Sequence, residues 1–273
     1  MNDISQFRAA KAWKEALGLL PVPLRDSAEN RERYVLLNGA TGNFCLDFVG
    51  DLDSSSQRAA AWSCDVGHYV TCVGDSISVS RWDRESSEEK FSSRSIVAHL
   101  HEFHRYLEKN APDRSESIVT HVLGVYRRIR SVVHDEFDGL QSLRILLHLL
   151  ASAAAGQDRL SNEFELALWG LSSEMIAPSE RVSAATWQPL YNDLSGIGRY
   201  AVLRPDFDLV IRHASGAVFQ DAHLEANNSP TFWLPGLEMP AQIENSASPQ
   251  ETGAYFTPPA LARTLAEEAT LGY

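Results

Sequence analysis

His68-Tyr69-Val70-Thr71-Cys72-Val73-Gly74-Asp75-Ser76-Ile77-Ser78-Val79-Ser80-Arg81-Trp82 is the stretch on which the fold turns. Two runs rich in β-branched and aromatic residues flank Gly74-Asp75, a pair suited to a tight turn, so the segment predicts a hairpin. Ile77, Val79 and Arg81 alternate with Ser78, Ser80 and Trp82, which predicts one face on a core and one in water. Residues 34–37, 44–49 and 59–62 read as further short strands, divided by Asn38-Gly39, Gly50-Asp51 and Asp65-Val66-Gly67. The sum is a small, mostly antiparallel sheet over about residues 33–83.

The flanks carry a different period. Ile4, Phe7, Ala10, Trp13, Leu17 and Leu20 recur every three or four residues and predict an amphipathic helix, which the turn material from Pro21 to Asn30 ends. Residues 83–90 form a polar loop. From Ser95 the pattern is helical: Ile96, Leu100, Phe103 and Leu107, then Ile118, Val122, Val125, Ile129 and Val132/Val133, then 140–155. That last run, with Leu143, Ile145, Leu146, Leu147, Leu149 and Leu150, is apolar almost all round and predicts a central buried helix. Shorter helices are predicted around 164–168, 187–194, 207–213 and 216–226, divided by Pro178, Gly196/Gly198 and Pro205. Pro230, Pro235, Pro240 and Pro249 mark a wrapping linker.

The fold class is therefore α+β, a small sheet followed by a larger helical region. The organisation reads as an N-terminal helix (1–30), a β-rich unit (31–90), a helical domain (91–226), a Pro-rich linker (227–250) and a final segment (251–273). With 273 residues and 44% hydrophobic content, the chain can bury one large core or two modest ones. Cys45, Cys64 and Cys72 form no Cys-x-x-Cys pair and are odd in number, which points away from a disulfide framework or zinc ribbon and toward a reducing cytoplasm. No apolar run approaches the roughly 20 residues of a bilayer span. A net charge of −12 opposes non-specific DNA binding by the chain as a whole, so a DNA contact requires a local basic patch.

Near the C-terminus stands Glu251-Thr252-Gly253-Ala254-Tyr255-Phe256-Thr257-Pro258-Pro259-Ala260-Leu261-Ala262-Arg263. Thr257 is a good N-cap and the prolines suit a first helical turn, where free backbone donors favour a carboxylate or phosphate. Gly253 to Pro259 resembles the Gly-x-Tyr-Tyr/Phe-Thr-Pro entry motif of adenine-N6 DNA methyltransferases of the type I modification-subunit and fused type IIG kinds. Less sharply, 61–70, 80–83 and 103–107 resemble the front region of some of these methylases. The resemblance implies that Tyr255, Phe256, Thr257 and Pro258 help hold the methionine end of S-adenosylmethionine, and that a doubly wound methylase domain belongs after them. It further implies double-stranded DNA as partner, a specificity or restriction subunit as a second, and a role in restriction–modification or phage defence. Leu194-Ser195-Gly196-Ile197-Gly198 and Asn228-Ser229-Pro230-Thr231-Phe232 precede the motif and are decoys for the family's cofactor and adenine loops. On this reading the chain is the front part of a larger enzyme, with the catalytic groups elsewhere.

Three other constellations bear on chemistry. Arg127, Arg128 and Arg130, with Tyr126 beside them and Arg144 as an extension, lie on one predicted helix; they either reach DNA phosphates or pair with the abundant acids. His99, His101 and His104 cluster without an evident third metal ligand of suitable placement, and read as surface or packing residues. Asp75 with Glu88-Glu89-Lys90 has the residue order of a metal-dependent nuclease, but 86–90 reads as a loop or helix start rather than a strand. A stand-alone interaction module of a defence system is the reading from a different class.

Overall fold

A computed structural model of the protein describes residues 7–25, 32–39, 41–84, 88–133, 137–196, 203–228 and Ala266. Their contacts divide into two compact units, one within 7–121 together with 195–196 and 203–215, the other within 122–194 and 216–228. The chain is α+β, as the sequence predicts.

A six-stranded mixed sheet organises the first unit, in the order β1 (Leu20–Pro23), β2 (Arg33–Asn38), β3 (Thr41–Asp47), β4 (His68–Val73), β5 (Ser76–Arg81), β6 (Glu89–Ser92). All neighbours are antiparallel except β3 and β4, which run parallel with Cys45 beside Tyr69 and Asp47 beside Thr71. A parallel pair cannot be joined by a tight turn, so the chain crosses over through α2 (Ser54–Ser63), after α1 (Ala10–Leu17) near the start of the chain. One sheet face carries Leu36, Phe44, Leu46, Val70, Ile77 and Val79 against Trp13 of α1 and against Leu100, Phe103 and Leu107 of α4 (Leu100–Lys109), which follows α3 (Ser93–Ala98). Trp13 meets Phe44 and Phe103 edge-on, at centroid distances of 6.0 and 6.4 Å.

The other face is buried as well, and sets polar groups beside apolar Val22, Val35 and Cys45. Asp47 is fully buried: Oδ1 accepts from the Val49 and Gly50 amides (2.7 and 3.2 Å), while Oδ2 accepts from Tyr69 Oη (3.0 Å) and lies 3.3 Å from Arg33 Nε. Arg33 also pairs with Asp51. Further along, Ser80 Oγ donates to Gln57 Oε1 of α2 at 2.9 Å. At the last residue of α2, Ser63 Oγ accepts from the Asp206 amide at 2.9 Å, beside α10 (Phe207–Leu209).

Several expectations are corrected. The face bearing Ser78 and Ser80 is covered rather than wet, because Gln57 satisfies Ser80 while α2 packs over β4 and β5. Residues 59–62 belong to helix α2, not a strand. Asp53 caps that helix by accepting from Ser56 N at 2.7 Å, and its alanines favour the helix that the parallel crossover requires. Pro21 and Pro23 lie within β1 instead of a turn; two residues apart on an edge strand, both point their missing donors away from β2. Glu89 and Lys90 begin β6, opposite Val79 and Ser78, rather than a loop.

The second unit is helical among its described residues. It takes α5 (Ile118–Val133) from residue 122, α6 (Gly139–Ala154), α7 (Glu163–Leu168), α8 (Ser173–Arg181), α9 (Ala184–Leu194) and α11 (Ser215–Asn228) from residue 216. The central role expected of residues 140–155 holds: α6 starts in an Asp138–Gln141 capping box, buries Ile145, Leu146, Leu149 and Leu150, and packs on α8 and α9. Pro178, expected as a divider, sits inside α8. Burial of Ile176, Pro178 and Ser179 outweighs the lost N–H in so short a helix.

Asp47→Ala leaves the Tyr69 hydroxyl and two amides without their acceptor and removes one of the carboxylates paired with Arg33. We expect it to lower stability by about 3–5 kcal/mol in urea denaturation, against about 1 kcal/mol for Tyr69→Phe.

Candidate functional site

The predicted basic residues sit on the exposed side of α5. Arg127 Nε lies 3.1 Å from each Glu225 oxygen, Arg128 pairs with Asp193, and Arg130 donates to the Glu225 carbonyl at 3.1 Å with its guanidinium 5.9 Å from the Tyr126 centroid. Arg127 and Arg130 thus converge on one residue, Glu225, while Arg128 points to another. Arg144 is exposed on α6. The side chains of Arg127 and Arg128 are 58% and 50% exposed, and ion pairs at such exposure contribute about 0–1 kcal/mol, so a phosphate can replace either carboxylate at little cost.

Tyr255, Phe256, Thr257 and Pro258 lie outside the described residues. His99 and His101 are exposed, and His104 Nε2 stands 3.8 Å from Glu108. No group of three metal-ligating side chains occurs among the described residues. Lys90 and Glu88 line an open cleft of about 390 Å³ with Ser54, Thr71, Ser76 and Ser78, and Lys90 Nζ is 3.5 Å from the Glu88 carboxylate. The β6 strand therefore supplies part of the setting that the sequence denied this pair, without a convergent set of carboxylates.

A second cavity, of about 260 Å³, lies where α2 gives way to β4. Its floor follows from local geometry. Beyond α2 the chain turns through Asp65, the one described non-glycine residue at positive φ (56°), held by the Val66 amide donating to the Ala61 carbonyl at 3.0 Å. Gly42 and Gly67 permit the close approach of the neighbouring loops, since a Cβ would stand 2.6 Å from Val66 Cγ1 and 2.7 Å from Pro112 Cδ respectively.

His68 opens β4 and is 2% exposed. Its Nε2 has no hydrogen-bond partner. Burial first, and the Arg81 charge second, push its pKa down to about 4, so the imidazole is neutral near pH 7. Trp62 and Trp82 stand in the wall, Trp62 fixed by its indole N–H to the Glu116 carbonyl (3.0 Å) and by the His121 ring 5.5 Å away. Arg114, 70% exposed, reaches the Asp65 carboxylate at 3.1 Å. Sequence reasoning took Asp65-Val66-Gly67 for a divider and His68 for a strand residue. Only the fold brings them to Arg114 and Trp82, and no fixed spacing announces that.

Family models, characterised proteins and solved structures were all compared with the chain, and none matches. No helix among the described residues is long and apolar enough to cross a membrane.

The depressed His68 pKa has a definite sign in stability. The unfolded chain takes up this proton near pH 6.5 and the folded one only near pH 4, so the contribution is complete above pH 6.5 and is lost as pH falls toward 4. Between pH 7 and pH 5 the loss from this group is on the order of 2 kcal/mol. Urea denaturation at both values should show that component in the native protein and not in His68→Gln.

Proposed function

We propose that the chain is the N-terminal region of a site-specific DNA adenine-N6 methyltransferase of a restriction–modification or phage-defence system, working in the cytoplasm. The observation that carries this reading is the sequence Gly253-Ala254-Tyr255-Phe256-Thr257-Pro258-Pro259. In this reading Tyr255 to Pro258 form one edge of an S-adenosylmethionine pocket, at the entry to a Rossmann-like methylase domain. Methyl transfer belongs to groups outside these residues. The local tasks are to pack against the catalytic domain and to help enclose double-stranded DNA.

The DNA contact is assigned to Arg127, Arg128 and Arg130. What supports it is their common helix, their exposure at 127 and 128, and surface partners that are easily exchanged. In a chain of net charge −12 they are a local patch of the kind DNA contact requires.

A metal-dependent nuclease is the second reading. The placement of Lys90 on β6, beside Ser78 of β5, favours it. Magnesium-dependent DNA cleavage abolished by Glu88→Ala would establish it over the first.

Two outcomes test the main reading in the complete enzyme. Arg127→Glu with Arg130→Glu should weaken DNA binding, leave cofactor binding intact, and reduce the slope of log K against log salt by roughly 2, at about 0.9 per lost phosphate contact. Unchanged affinity at low salt would remove the DNA assignment. Photocrosslinking of labelled S-adenosylmethionine should place the label on a peptide spanning 251–263 and fall at least several-fold in Phe256→Ala; a label confined to other peptides would remove the cofactor assignment.

A further inference from the structure

We infer that the outer face of α7 is a docking surface for an amphipathic helix of another protein, one whose apolar stripe is edged with Lys or Arg. The inference concerns the second unit alone and stands apart from the methyltransferase reading.

Exposure sets the first requirement. Phe164 is 74% and Leu168 69% exposed, while the other exposed large hydrophobic side chains among the described residues lie between 38% and 51%. Four residues apart on α7, the two stand on one face, with exposed Ala167 beside Leu168. Single apolar residues on a surface are ordinary, whereas adjoining ones left in water mark a place of contact.

The helix that presents them is held firmly. Asn162 Oδ1 accepts from the Phe164 and Glu165 amides at 2.9 and 3.3 Å, and beyond the other end the Leu171 amide donates to the Leu166 carbonyl at 2.9 Å after a turn through Gly170 at φ 69°. On the inner side Leu166 is buried with Leu160, Leu171 and Ile176, a core in which Phe164 and Leu168 take no part. Their exposure therefore serves nothing within the unit.

Charge sets the kind of partner. Glu163 and Glu165 flank Phe164, and Ser173 Oγ donates to Glu163 at 3.2 Å, which brings exposed Glu174 toward the same end of α7. None of the three glutamates forms an ion pair with a described cation. The nearest arginines in the chain are engaged elsewhere, Arg159 over the Trp187 ring at 4.1 Å and Arg181 over the Phe137 ring at 4.4 Å. An apolar face edged with uncompensated carboxylates repels a second copy of itself, a nucleic acid or an anionic membrane, and attracts Lys and Arg. Its form points to a helix, because two side chains one turn apart make a ridge that fits the groove of a second helix.

Three synthetic peptides of about 14 residues separate shape from charge: an amphipathic Lys/Leu helix, the same residues shuffled, and the amphipathic helix with Glu in place of Lys. Titrated with the full chain at about 0.15 M salt and followed by fluorescence anisotropy, the first should bind saturably with micromolar affinity, at least about ten-fold tighter than either control. Phe164→Gln with Leu168→Gln, which keeps good helix formers at exposed positions, should weaken it at least about ten-fold, and Glu163→Gln with Glu174→Gln several-fold. Circular dichroism checks that both variants stay folded. Equal binding of the shuffled or the Glu peptide, no saturable binding, or an affinity untouched by either pair of substitutions would overturn the inference. So would a dimer of the native chain in sedimentation that Phe164→Gln with Leu168→Gln dissolves, which would assign the face to a second copy.

Discussion

The buried carboxylate of Asp47 is the constraint around which the first unit is arranged. It sits at the end of β3, at the sheet's one parallel junction, and gathers Arg33 from β2, Tyr69 from β4 and the amides of Val49 and Gly50. An ionised carboxylate without solvent costs several kcal/mol, so it persists only where hydrogen bonds and a counter-charge replace water. Here three hydrogen-bond donors and the Arg33 charge, from three segments, do so, and the same contacts fix where the chain leaves β3 for α2. Apolar packing alone would tolerate other registers of β3 against β4; the geometry of this cluster does not.

That cluster explains the asymmetry of the two sheet faces. The face toward α1 and α4 is held by close-packed Leu, Val, Ile and aromatic side chains. Its opposite adds directed contacts to buried Val22, Val35 and Cys45: Asp47 with Arg33 and Tyr69, Gln57 with Ser80, Ser63 with the Asp206 amide. Hydroxyl-rich strands read naturally as solvent-facing, and Ser78 and Ser80 misled for that reason. Alternation reports which residues share a face, while whether a polar face meets water depends on what the crossover brings over it.

The rest of what was legible divides along the same physical line. Ile145, Leu146, Leu149 and Leu150 determine a buried helix through local spacing alone, and the hairpin at Gly74-Asp75 was equally plain. Residues 59–62 were misread because four apolar or small residues fit either period, and only the parallel topology decides for a helix. Pro21 and Pro178 read as breakers in the sequence, yet an edge strand and a short packed helix each absorb a missing donor. At the candidate sites, adjacency on one helix was enough to find Arg127, Arg128 and Arg130. Arg114 lies 49 residues beyond Asp65 and no motif joins it to Asp65 or His68, so nothing short of tertiary structure could bring it to them.

The arginines and the His68 cavity also show two different uses of charge. On α5 the guanidinium groups of Arg127 and Arg128 face carboxylates at the surface, where partners exchange for little free energy, while Arg130 donates to a backbone carbonyl. In the cavity the acceptor is a neutral imidazole held from solvent, and its unsatisfied lone pair costs more than any exposed ion pair contributes. Salt therefore weakens the pairs on α5 and leaves the buried imidazole largely untouched, because screening acts through solvent that only the exposed pairs meet.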